Sequence, residues 1–80
     1  MTTFEAIVAA LQEIAGDTTL PKNVRNTVTS AMTMLGTQEE PRTKANKALQ
    51  HLESLSEESN VESFTRSQLY NIVSMLETVE

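Results

Sequence analysis

The sequence predicts an all-α domain spanning residues 1–80, with four helices arranged as two antiparallel helical hairpins. Three observations predict it. Apolar residues recur at helical spacing in four separate stretches, and residues that cap or break helices stand between those stretches. The second hairpin, about 41–79, also repeats the first, about 3–35, at an offset of 41 residues.

Helix one is expected over about residues 3–15. Thr2-x-x-Glu5 fits a capping box, and Phe4, Ile7, Val8, Leu11, Ile14 and Ala15 form its apolar side. Gly16 is expected to end it in the left-handed conformation, with Asp17-Thr18-Thr19 as capping residues for the next helix. Helix two then runs from Leu20 or Pro21 to Leu35, because proline is tolerated in a first turn. Its inward residues are Leu20, Val24, Val28, Ala31, Met32 and Leu35.

Gly36-Thr37-Gln38-Glu39-Glu40-Pro41 is the most loop-like stretch and joins the two halves. Helix three, about 41–56, carries a narrow stripe of Ala45, Ala48, Leu49, Leu52 and Leu55. Ser59-Asn60 breaks the pattern with residues that favour caps and turns. Helix four is expected from Val61 to Val79, with Val61, Leu69, Ile72, Val73, Leu76 and Val79 inward.

The repeat pairs Leu11 with Leu52, Ile14 with Leu55, Val28 with Leu69 and Leu35 with Leu76. Any two amphipathic hairpins can be slid until their apolar stripes coincide, so the polar positions are the stronger test. They agree in the same register: Asp17 falls on Glu58, Thr18 on Ser59, Thr19 on Asn60 and Arg25 on Arg66. Each hairpin linker thus carries an acid, and an arginine in the second helix is expected to reach back to that carboxylate. Such a pair fixes hairpin geometry and catalyses nothing. Helical hairpins at a period near 40 residues are the mark of the HEAT and armadillo class, and Val24-Arg25, Ala31 and Leu35-Gly36 resemble the second helix of a HEAT repeat. Two repeats fall short of the three or more that bury a continuous solenoid core. The helices therefore either close as a compact bundle or form a HEAT-like pair, and the stripes and loop lengths suit both.

Net charge is −5, from eleven Asp and Glu against six Lys and Arg, which repels a phosphate backbone at long range. The chain has no cysteine, hence no disulfide framework, thiolate nucleophile or cysteine-held zinc. No apolar run approaches the roughly 18 residues of a membrane span, and Met1-Thr2-Thr3-Phe4-Glu5 lacks the basic start of a secretory leader. A cytoplasmic protein without membrane contact is expected.

Nothing in the residues supports catalysis, and no metal or cofactor is expected. His51 is the only histidine, and serine chemistry would need a base oriented by a third group. Glu39-Glu40, Glu57-Glu58 and Glu62 are read as solvated acids near helix starts rather than as cation ligands. Arg42, Lys44, Lys47 and His51 gather on helix three and form the candidate nucleic-acid face. Phe64, Tyr70 and Met75 lie off the inward stripe of helix four, and with Met34 of helix two they form the candidate interface. The expected function is a non-catalytic protein–protein interaction module that self-associates as a dimer. The alternative is an RNA, DNA or ribonucleoprotein accessory working through helix three.

Two segments carry a family resemblance. Leu11-Gln12-Glu13-Ile14 through Leu20-Pro21-Lys22-Asn23-Val24-Arg25, and Asn60 through Thr65-Arg66 to Ser74-Met75-Leu76-Glu77, resemble a small archaeal family of unassigned function, uncharacterised protein family zero-one-four-seven. The resemblance is strongest at Asp17-Thr18-Thr19-Leu20-Pro21-Lys22-Asn23-Val24-Arg25. It implies an all-helical cytoplasmic protein and supplies no activity or site residue. The second hairpin departs from the family pattern, with Ser59-Asn60-Val61-Glu62 where a Pro-Asn-Met-Pro-like turn is expected, and Tyr70 where a tryptophan is expected.

Overall fold

The structure, a computed structural model, describes residues 4–58 and 60–79. Four helices occur in order: α1 (Phe4–Ala15), α2 (Lys22–Leu35), α3 (Pro41–Ser56) and α4 (Ser63–Glu77). There is no strand among the described residues.

Each helix packs against its neighbours in sequence, and α4 closes back on α1. The diagonal pairs, α1 with α3 and α2 with α4, make no backbone approach among the described residues. A HEAT-like stack would bring those like helices together, so the compact bundle is the arrangement adopted. Two contacts fix alternating directions. Lys44 near the start of α3 lies 4.7 Å from the ring centroid of Phe4 at the start of α1. At the other end, Asn60 Nδ2 donates to Asn23 Oδ1 at 3.0 Å, joining the turn that precedes α4 to the start of α2.

The core is aliphatic. Ile7, Leu11, Val28, Leu52, Leu69 and Leu76 are fully enclosed. The α2–α3 seam is the most extensive of the four, and the buried Ala31, Ala45 and Ala48 on these two helices explain why, since small side chains let helix axes approach closely. The α1–α4 seam is the sparsest.

Several element ends differ from the sequence expectation. Gly36 ends α2 as expected, at φ −86°, ψ 0°, but Gly16 does not take the left-handed conformation, since positive φ is absent among the described residues. The chain instead leaves α1 through a tight turn in which Asp17 Oδ1 accepts from the backbone N–H and hydroxyl of Thr19. That carboxylate is therefore used within its own turn, and α2 begins behind Pro21 with no side-chain cap. Pro21 combines a helix-like φ of −57° with an extended ψ of 148°, so the helix starts at Lys22 rather than at Leu20 or Pro21. Likewise α4 starts at Ser63 and stops at Glu77, while Val61 and Val79 are buried from the flanking turns. Thr2 of the expected capping box and Ser59 of the expected break lie outside the described residues.

The reach of the two arginines also differs. Arg25 Nε donates to the carbonyl of Ala15, and Arg66 donates to the carbonyls of Ser56, Glu58 and Val61. Ala15 and Ser56 end α1 and α3, and such last carbonyls have no intrahelical partner and carry the negative dipole end, which favours a guanidinium there. Glu58 and Val61 lie in the turn between α3 and α4.

Candidate functional site

Helix α4 holds both large apolar side chains that stand in solvent among the described residues, Phe64 at 73% exposure and Tyr70 at 55%. They do not share a face. Six residues of helix place Tyr70 about 120° from Phe64 around the axis. Phe64, Gln68, Asn71 and Met75 form one stripe, at spacings of four, three and four, and Ser63, Ser67, Tyr70 and Ser74 form another. The second stripe is exposed throughout and is uncharged from Ser63 to Ser74, its next position being Glu77 at the end of α4.

The candidate interface of Met34, Phe64, Tyr70 and Met75 is thus not one surface. Met34 lies on α2, diagonally across the core from α4, and Met34 and Met75 are half-buried against the core. Helical spacing shows which residues leave the inward stripe, and it gives no sign of which neighbouring helix covers them.

Beside the Phe64 stripe, the sparse α1–α4 seam opens as a groove of about 260 Å³ lined by Ala10, Glu13, Gln68, Asn71, Ile72 and Met75. Ala10, Glu13, Gln68 and Asn71 did not stand out in the sequence, because small and polar residues off an apolar stripe read as an ordinary solvated face.

The cations of α3 are partly committed within the chain. Lys47 Nζ contacts both carboxylate oxygens of Glu39, at 2.7 and 2.8 Å. Lys44 Nζ donates to the carbonyl of Thr37 at 3.2 Å while lying over Phe4, where an ammonium gains from the ring's negative face. Arg42 is exposed and His51 half-buried. The glutamates named from the sequence do not converge: no group of three His, Asp or Glu side chains poised for a metal ion occurs among the described residues. In the turn after α1, the Thr19 hydroxyl and then the Thr19 N–H hold the Asp17 carboxyl below the usual aspartate range, with a smaller contribution from Arg25.

A four-helix ring whose conspicuous features are an exposed apolar pair and an open seam is a small all-α protein defined by its surface. No helix among the described residues is long and apolar enough to cross a membrane. The family model described as "Uncharacterised protein family (UPF0147)" matches residues 1–79, and the chain belongs to that family. A UPF0147 protein of Sulfurisphaera tokodaii is 38% identical over 74 residues, covering 91% of this chain and 83% of that one. The crystal structure of a protein from the same family from Thermoplasma acidophilum superposes with a TM-score of 0.91 at 29% identity, over 96% of this chain and 92% of that one. A second crystal structure, of the unknown-function protein MMP1188, gives a TM-score of 0.93 at 36% identity, over 96% and 89%.

Proposed function

We propose that this chain is a non-catalytic protein–protein interaction module that self-associates through α4. The observation that carries this reading is the placement of both exposed large apolar side chains, Phe64 and Tyr70, on one helix. Cytoplasmic work is part of the same proposal.

The Tyr70 stripe is the better surface for a second copy. Two chains of charge −5 repel, and the repulsion is least where the contact centres on the uncharged stretch from Ser63 to Ser74, with Glu77 at its edge. Ser63, Ser67 and Ser74 are small enough for a second helix to approach, with Tyr70 central in a two-fold contact. Size sets the strength. A stable interface buries about 800 Å² per partner, roughly a sixth of the 4981 Å² this protein exposes. One face of a 15-residue helix offers less than that, so the dimer is expected to be weak and concentration-dependent. The nucleic-acid reading is weaker, because Lys44 and Lys47 already hold partners in the chain.

Light scattering across a dilution series tests the proposal. The wild-type mass is expected to rise toward that of a dimer with concentration, while Tyr70→Glu stays monomeric with its helical content intact. A wild-type monomer at every concentration would overturn self-association.

A further inference from the structure

The flank of α4 opposite Tyr70 presents a different chemistry. The α1–α4 groove runs between two helices along their sparsest seam, and Phe64 stands one turn beyond Gln68 on the stripe that forms one wall. A groove between two helices, with an exposed aromatic on the same helical stripe as its wall, can receive an amphipathic helix, whose anchors recur at i, i+3, i+4 and i+7.

Charge selects the occupant. Helix α1 carries Glu5 and Glu13 and no lysine or arginine, and Glu13 lines the groove. The only cation on α4 is Arg66, and its guanidinium is held by the carbonyls of Ser56, Glu58 and Val61. Among the described residues that line it, the groove therefore has one carboxylate, Glu13, and no cation, in a chain of charge −5. A second copy would bring the same acids to meet them, whereas a cationic segment would be drawn in and paired.

We propose that the α1–α4 groove docks a cationic amphipathic helical segment of another protein, its apolar side against Phe64 and Met75 and a lysine or arginine on Glu13. The inference rests on the reading of this chain as an interaction module, and it concerns a separate flank from the one assigned to self-association.

The probes are three synthetic helical peptides with the same leucine stripe and a polar face that is lysine-rich, uncharged or glutamate-rich. Titration into the isotopically labelled protein, monitored by amide chemical shifts, is expected to show the lysine-rich peptide binding most tightly and moving resonances of α1 and α4. Phe64→Ser and Glu13→Lys should each weaken that binding by about tenfold or more, and Tyr70→Glu should leave it unchanged. Failure of all three peptides to bind, equal binding by all three, or indifference to both groove substitutions would overturn the proposal. So would loss of the dimer on Phe64→Ser with the dimer of Tyr70→Glu intact, because a second copy would then occupy the groove. Peptide binding by a protein that stays monomeric would reject self-association alone.

Discussion

Arg25 Nε donates to the carbonyl oxygen of Ala15 at 3.3 Å, and 41 residues further on Arg66 Nη1 donates to that of Ser56. Ala15 and Ser56 are the last residues of α1 and α3, so each hairpin ties the end of its first helix with an arginine from its second. The repeat extends here from residue types to a specific hydrogen bond. It is unequal, however, since Arg66 also reaches the carbonyls of Glu58 and Val61.

That inequality sets the first prediction. Charge-assisted hydrogen bonds are worth about 1.5–3 kcal/mol and ordinary ones about 0.5–1.5. Arg66→Ala is therefore expected to cost about 2–3 kcal/mol in urea unfolding, and Arg25→Ala about 1 kcal/mol, its single bond being long. Arg66→Lys should restore only part of the loss, because an ammonium cannot span carbonyls as a planar fork does. Equal losses for the two alanine variants would show that the additional acceptors of Arg66 add nothing.

Asp17 sets the second. Its folded-state pKa lies below the unfolded value, chiefly because Thr19 donates to the carboxylate from its hydroxyl and its N–H. A depressed carboxyl contributes stability that is present above the unfolded pKa and is lost as pH falls through the aspartate range, from about pH 4 downward. The urea midpoint of the wild type should therefore drop more between neutral and acid pH than that of Asp17→Asn. Parallel curves for the two proteins would remove Asp17 from the acid response.

Much of this architecture was legible in the residues. The four helices, the limits of α3 and all of the buried aliphatic side chains among the described residues follow from spacing, because a marginal core leaves few apolar residues to be placed elsewhere. Any choice between competing partners stayed hidden. Arg25 and Arg66 had both a loop acid and a helix end within reach, and local sequence does not rank them. The separation of Phe64 from Tyr70 is implicit in their six-residue spacing, yet which flank opens onto a groove depends on how sparsely α1 meets α4. Lys44 and Lys47 looked free on α3 because their partners, Phe4, Thr37 and Glu39, come from α1 and from the preceding loop.

Gly36 sets the third prediction. A glycine after a helix suggests a left-handed cap, but this one has φ −86° and ψ 0°, which any L-residue adopts. A Cβ there would meet the carbonyls of Thr33 at 3.6 Å and Met32 at 3.8 Å, ordinary contacts. Gly36→Ala is expected to stabilise the fold by about 0.4–1 kcal/mol by reducing the freedom of the unfolded chain. A lowered melting temperature would indicate that Gly36 needs a conformation closed to alanine.

Thr65 sets the fourth. It is 3% exposed and is the one buried polar side chain among the described residues, on the inward stripe of α4 with Leu69, Ile72 and Leu76. In the 41-residue register it falls on Val24, itself 1% exposed. Threonine and valine share a branched shape, so the two sites differ by a hydroxyl in place of a methyl group. A hydroxyl in apolar surroundings costs about 1–3 kcal/mol when it is left without a partner. No buried side-chain oxygen among the described residues lacks a hydrogen-bond partner, so Thr65 does not bear that cost. Thr65→Val is accordingly expected to change stability by no more than about 0.5 kcal/mol. The reverse change, Val24→Thr, sets a hydroxyl among enclosed aliphatic side chains and is expected to lower stability by about 1–2 kcal/mol. Urea unfolding of both single variants and of the double exchange measures whether the two changes add, in which case the double exchange lies near Val24→Thr alone. Greater destabilisation by Thr65→Val would show instead that the hydroxyl holds a hydrogen bond that the second hairpin needs and the first does without.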